Sequence, residues 1–329
     1  MQAGKLPPEL LALNVFPFLG KTRSDVLLRP GIGQDCSVID LGTELAVLSS
    51  DPITASEHNL GYLAVHISAN DIATTGAVPV GLMLTLLLPP GTEPDLVGTI
   101  MRDVDKAAAS LGMAVLGGHT EFTPAVTQPV ASVTALGRVK KGQYVTAAGG
   151  RPGDTLLLTK SAAMEGTAIL ATDLKELLLP QLGAALIASA QDFLGSISVV
   201  PEGLLAARNG ASAMHDVTEG GILGACSELA AASSCSVELW ADKVPLAPET
   251  VAICRFLGLD PLGLIGSGAL LIAAPDPETI TNALQEANIP VTAIGRLLSA
   301  EKGSWLVQGN ERRPLIPPER DELYRALGE

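Results

Sequence analysis

Apolar runs alternate with turn signals along the whole chain, a pattern that predicts mixed helix and strand. Residues 36–41 and 44–50 read as two strands joined at Gly42-Thr43 as a hairpin. Residues 58–75 read as a helix, with Leu60, Ala64, Ile67 and Ile72 near one face. The run 79–88 reads as a strand, and Pro89-Pro90 halts it. Thr92 then predicts an N-cap, with Pro94 and Asp95 in the first turn. Leu96, Ile100, Val104, Ala107 and Leu111 carry that helix to a stop at Gly112. Strands are predicted at 113–117 and 129–139.

The glycine-rich stretch from Lys140 to Asp154 marks a domain boundary, drawn between residues 1–148 and 149–329. The second half opens with the strand Thr155 to Lys160. Helices are predicted near 165–172, 181–193, 201–209, 219–233, 248–258 and 276–287. Strands are predicted at 211–215, 236–240, 268–274, 291–297 and 304–308. The expectation is two α+β domains of comparable size.

Composition narrows the partners. Aromatic residues are only 3% of the 329, while the apolar set reaches 47%, so Ala, Val, Leu and Ile must build the core. A net charge of −14 argues against a general nucleic-acid binder, which needs a basic footprint. Mean hydropathy is high at +0.36. No apolar run reaches the ~18 residues of a membrane helix, and residues 1–8 hold no apolar signal core. The reading is a soluble cytoplasmic protein, bound to neither membrane nor nucleic acid. Four cysteines (36, 226, 235, 254) form no C-x-x-C pair and read as core thiols, with Cys226 and Cys254 buried and Cys235 the most accessible.

Candidate chemistry lies where acids and amides interrupt apolar structure. Asp35 follows the turn Gly31-Ile32-Gly33-Gln34, and Asp51 closes a strand. Asn70-Asp71 sits inside an otherwise small and apolar helix. Gly117-Gly118-His119-Thr120-Glu121 follows a strand as a turn. His215-Asp216-Val217-Thr218-Glu219-Gly220-Gly221 joins a strand to a helix. Each has an ordinary structural reading: turn and cap residues for Asp35, Asp51, Thr218 and Glu219, and a solvated helix edge for Asn70-Asp71. Taken together, carboxylates at strand ends and helix starts suit a hard cation held together with substrate phosphates. A Gly-Gly turn lets backbone N–H groups approach those phosphates. No Walker-type loop, dinucleotide fingerprint, zinc spacing or nucleophile elbow competes.

In these segments, and in this order, the sequence resembles the superfamily of aminoimidazole ribonucleotide synthetase, thiamine-monophosphate kinase, selenophosphate synthetase and the hydrogenase-maturation protein HypE. Gly31 to Asp35, Ser50-Asp51, Asn70-Asp71-Ile72-Ala73 with Gly76-Ala77-Val78-Pro79, Gly117 to Thr120, Pro152-Gly153-Asp154 and Met214 to Gly221 carry the likeness. It implies an N-terminal α+β domain whose sheet forms a β-barrel in a homodimer, and a C-terminal α/β domain. It implies ATP in the groove between them. By this likeness Asp35, Asp51, Asp71 and Asp216 hold Mg²⁺, and Asn70, Asp71, Gly117, Gly118, His119 and Thr120 bind the nucleotide. His119, Asp216 and Glu219 are the implied catalytic residues.

Departures from the pattern separate the members. Ile265-Gly266-Ser267-Gly268 stands where thiamine-monophosphate kinase has a Gly-Gly-Glu-Asp block, and no reactive Cys precedes the aspartate turn as in selenophosphate synthetase. HypE is the nearest through Met214-His215-Asp216 and Leu257 to Leu262, but no Cys follows Cys254 to carry its carbamoyl group. The expectation is a HypE-like, ATP-dependent phosphotransferase, ligase or dehydratase acting on a small-molecule acceptor. A nucleotide-binding maturation factor that works through a protein partner is the alternative.

Overall fold

The computed structural model describes residues 6, 8–53 and 59–328. The chain begins with α1 (Pro8–Asn14), β1 (Val26–Leu28), β2 (Ser37–Asp40) and β3 (Glu44–Ile53). Then come α2 (Leu60–Thr74), β4 (Val78–Leu88), α3 (Pro94–Ser110), β5 (Ala114–Phe122) and β6 (Val130–Lys140). The predicted hairpin is present, with Ser37 opposite Leu48 and Asp40 opposite Leu45. The six strands form one sheet in the order β1-β2-β3-β6-β4-β5. Period-two alternation sorts β4: Leu82, Leu84, Leu86 and Leu88 are buried beneath α2 and α3, while Met83 is exposed on the open face. Each buried leucine contributes about 1.5–3 kcal/mol of transfer free energy.

Two predictions at this end need correction. Thr92 does not cap α3; its hydroxyl donates to the Pro89 carbonyl at 2.7 Å, and Glu93 occupies the cap position without a side-chain bond. Gly117 to Glu121 is not a turn. β5 runs straight through it, paired in parallel with β4 and crossing from it through α3. Gly118 is needed for close approach: a Cβ there would strike the Leu84 carbonyl.

The second half supplies β7 (Thr155–Thr159), α4 (Met164–Asp173), α5 (Lys175–Leu182), α6 (Ala184–Gln191) and α7 (Val200–Arg208). It continues with β8 (Ala213–Asp216), α8 (Gly221–Ala232), β9 (Cys235–Trp240), α9 (Pro248–Leu257), β10 (Leu270–Ala274) and α10 (Pro277–Glu286). Last come β11 (Val291–Ser299), β12 (Trp305–Gln308), β13 (Glu311–Pro314) and α11 (Glu322–Leu327). Seven strands align as β13-β12-β9-β11-β7-β10-β8. All pairs are antiparallel except β9 with β12, so this half is not a wound parallel α/β sheet. Leu156 and Leu158 of β7 pack against α8, and Leu157 faces the opposite core with Ile280 and Leu284 of α10. α5, α11 and β13 were not predicted; Pro180 inside α5 hid its helical pattern.

The 148/149 division falls in the short 3-10 turn Ala147–Gly149. The two sheets meet across α2, which is buried on almost every side. Only glycine fits the closest contacts: a Cβ on Gly203 of α7 would strike the Ala73 carbonyl, and one on Gly76 would strike Ala207. Among the described residues no single helix is long and apolar enough to cross a membrane.

Candidate functional site

Four elements bring acids to one place. Asp35 ends the glycine turn before β2, Asp51 lies on β3, Asp71 on α2 and Asp216 ends β8. The buried Cys36 sits among them, its Sγ donating to the Asp71 carbonyl at 3.2 Å. Burial, and then the charges of Asp71, Asp35, Asp216 and Asp51, push its thiol well above the usual range, so all four aspartates act on one buried point. Asp71 is 4% exposed, which rules out the solvated-edge reading. Burial, and then the charges of Asp216, Asp51 and Asp35, hold its carboxyl well above the ordinary range. Ser49 bridges β3 to α2: its hydroxyl lies 3.2 Å from Asp51 Oδ2 and in a short contact with Asp71 Oδ2. An all-oxygen set that raises one member's proton affinity is chemically suited to a hard divalent cation, which would replace that proton.

His215 is the central residue that the sequence reading left without a role. It is 1% exposed. Its Nδ1 donates to the Asp216 carbonyl at 2.6 Å, and its Nε2 lies 2.9 Å from Glu228 Oε2 and 3.9 Å from Asp35 Oδ2. Burial alone would lower its pKa, but Asp35, Glu228 and Asp216 outweigh burial and push it up to about 10. The neighbouring carboxylates thus favour the protonated imidazole. Ligand-capable atoms of Asp35, His215 and Asp216 all lie within 4.8 Å of one another. Glu228 comes from α8, twelve residues beyond Asp216, and nothing local in the sequence signals that it returns to His215.

The other predicted residues sit elsewhere. Asn70 is fully buried, and its amide is committed to the opposite domain: Nδ2 donates to the Ile197 carbonyl at 2.9 Å and Oδ1 accepts from Val199 N–H at 2.8 Å. It acts as a strut between α2 and the segment before α7, with both amide atoms engaged. Gly117, Gly118, His119 and Thr120 are exposed on the edge strand β5. His119 registers with Thr85, Thr85 with Ser132, and Ser132 with Pro52. Three strand spacings thus separate His119 from the strand that holds Asp51, about 14 Å. Its Nε2 instead meets Glu121 Oε2 at 3.2 Å in solvent. Glu219 is half-buried on the loop after Asp216. Neither Thr218 nor Glu219 caps α8. Gly220 takes that position in a left-handed conformation (φ 86°), and Asp321 accepts its N–H at 2.6 Å.

The geometry defines a two-domain protein with a shared buried carboxylate centre at the domain junction. Residues 33–139 match the AIR synthase related protein, N-terminal domain, and residues 151–307 its C-terminal domain; the chain belongs to the AIR synthase related family. A carbamoyl dehydratase HypE of Azotobacter vinelandii is 30% identical over 241 residues, 71% of this chain and 67% of that protein. The carbamoyl dehydratase HypE of Escherichia coli strain K12 is 28% identical over 227 residues, 68% of this chain and 64% of that protein. Among solved structures, E. coli HypE superposes with a TM-score of 0.75 at 22% identity, covering 97% of this chain and 99% of that one. HypE in complex with ATP gives 0.69 at 23% identity, covering 90% and 92%. The HypE–HypF complex gives 0.73 at 18% identity, covering 85% and 93%.

Proposed function

We propose that the chain is an ATP-dependent enzyme of HypE-like type that activates or phosphorylates a small-molecule acceptor. The observation that carries this reading is geometric: Asp35 and Asp216 offer ligand atoms within 4.8 Å of one another, Ser49 joins Asp51 to Asp71, and the buried Cys36 bonds the Asp71 backbone between them. Those four would hold Mg²⁺, which when bound neutralises charge on the phosphoryl group being transferred. His215 fixes Asp35 and Asp216 from behind by charge and by its bond to the Asp216 backbone. The similarity to HypE in complex with ATP supports the nucleotide. Calorimetry with Mg·ATP tests it: at ~100 times Kd the ligand should add about 2.7 kcal/mol of stability. No heat and no melting shift in saturating Mg·ATP would remove the reading.

The enzyme works as a homodimer. β5 is exposed along all nine residues, including Val115, Leu116 and Phe122, and an edge strand this long and uncovered pairs readily with another chain. The open face beside it carries Met83, and closure of two such sheets into a barrel would bury both. Pairing would also bring the partner's copy of the glycine–histidine strand towards a carboxylate centre that His119 does not reach within its own chain. The active site is then completed by two subunits.

A maturation role through a protein partner is the second reading, supported by likeness to the HypE–HypF complex. Transfer of a carbamoyl group onto one of this chain's thiols finds no support in their chemistry. Burial pushes Cys226 and Cys254 up to about 12, Cys36 is raised well above its usual range, and burial and the Asp154 charge also raise the more accessible Cys235.

A further inference from the structure

A second site lies one helical turn from Asn70, on the side of α2 away from the carboxylates. A cavity of about 590 Å³ opens between α2, α3 and the segment leading into α7. That volume is in the range of small-molecule sites. Its lining includes none of the acids described above. Inside it stands His66, only 4% exposed, with neither ring nitrogen hydrogen-bonded and both closed off from solvent. A buried polar group without a partner is rare and costs free energy, so it calls for a ligand or an ordered water.

The surroundings define what fits. Tyr62 tilts over the imidazole with ring centroids 4.3 Å apart, and is itself held by a 3.0 Å bond from its hydroxyl to the Leu194 carbonyl. Ala107, Leu111, Val200 and Pro201 give the remaining walls an apolar character. Burial, aided by the charge of Lys160, lowers the His66 pKa to about 4, so the ring offers one N–H donor and one bare nitrogen acceptor but no charge. Asp103 and Lys106 at the α3 side carry opposite signs, so the cavity favours no net ligand charge. Neither nitrogen faces the open cavity in this conformation, so a ligand held on His66 requires the imidazole to turn about Cβ–Cγ, a torsion with broad minima.

We propose that this cavity binds a small uncharged planar nitrogen heterocycle, its faces against the apolar walls and its donor–acceptor edge on His66. The cavity's lining is separate from the carboxylate centre, and the two are linked through α2, where Asn70 ties the helix to the Ile197–Val199 backbone at the cavity's edge.

The test uses adenosine and nicotinamide as probes on the full-length protein, with and without saturating Mg·AMPPNP. The readouts are calorimetry and the NMR signals of the His66 ring. At least one probe should bind with the nucleotide analogue present and shift the His66 signals. His66→Phe, which keeps the ring and loses both nitrogens, should weaken it about tenfold, the size of one neutral hydrogen bond. Ser110→Trp at the exposed rim should block binding and serves if His66→Phe fails to fold. Binding that Mg·AMPPNP abolishes would make the cavity part of the nucleotide site and overturn the proposal. So would failure of both probes to bind, which leaves an ordered water as His66's partner, or unchanged affinity in the folded Phe and Trp variants.

Discussion

Asp71 on α2 and His119 on β5 belong to the same domain and to motifs of similar length, yet their surroundings are opposite. Asp71 is 4% exposed among three other aspartates. The side chain of His119 is 64% exposed, with Glu121 as its partner. Asp71 rides a helix enclosed by both domains, so one chain completes its environment. His119 rides an edge strand whose further hydrogen-bonding side faces solvent. The contrast separates a site that one chain encloses from a strand edge that it leaves open.

The largest effect should come from spoiling that surface. Leu116→Glu with Phe122→Glu places charge on exposed positions of β5, where substitution costs the monomer little, within about 0.5 kcal/mol each. Light scattering should show the mass halve, and ATP turnover should vanish while the melting temperature of the monomer stays close to its original value. A variant that remains dimeric would break the comparison, because β5 would then not be the contact.

Asp71→Asn probes the finished half. It should lose most of the ~2.7 kcal/mol that Mg·ATP confers at 100 times Kd. Without metal it should melt no lower than wild type, since it removes a carboxyl that its neighbours already force towards the protonated form. A folded variant with undiminished Mg·ATP stabilisation would show that Asp71 holds no metal.

The same contrast explains what the sequence made legible. Asp35, Asp51 and Asp216 stand near element ends and Asp71 interrupts an apolar helix, so pattern marks them as unusual, but grouping them as metal ligands comes from the family resemblance. Gly117-Gly118 looked like a turn because glycine pairs usually are; only pairing with β4 demands an extended glycine against Leu84. Asn70 matched its motif, but which side of α2 it faces depends on a backbone 127 residues away. His215 and Asp321 act through Glu228 and Gly220, contacts that only the tertiary fold creates.

His119→Ala sharpens the difference at smaller scale. If the imidazole serves the partner's centre, turnover in the dimer should fall about tenfold, as for the loss of one hydrogen bond to a charged group. Mg²⁺ affinity and dimer mass should hold. Equal losses in Mg²⁺ affinity and turnover would instead place His119 beside the metal.

The smallest effect on the site should come from a buried acid that stands apart from the centre. Glu165, at the first turn of α4, is 4% exposed and its Oε2 has no hydrogen-bond partner. Burial pushes its pKa up to about 7, with nearby Ser267 pulling the other way. The folded state therefore holds this proton more tightly than the unfolded chain. Its contribution to stability is complete below about pH 4 and is lost as pH rises through 7, a decline on the order of 3 kcal/mol. His215, pushed up to about 10, slopes the same way above its unfolded value, so the Glu165 part is the difference between wild type and Glu165→Gln. Exposed acids with lowered pKa, such as Asp40 and Asp276, act only at more acidic pH. Urea melts from pH 5 to 8 should flatten in Glu165→Gln, while stabilisation by Mg·ATP stays at its wild-type size. If Mg²⁺ flattens the wild-type slope as the Gln variant does, Glu165 is coupled to the metal, and the carboxylate centre extends further into the second domain than its four aspartates.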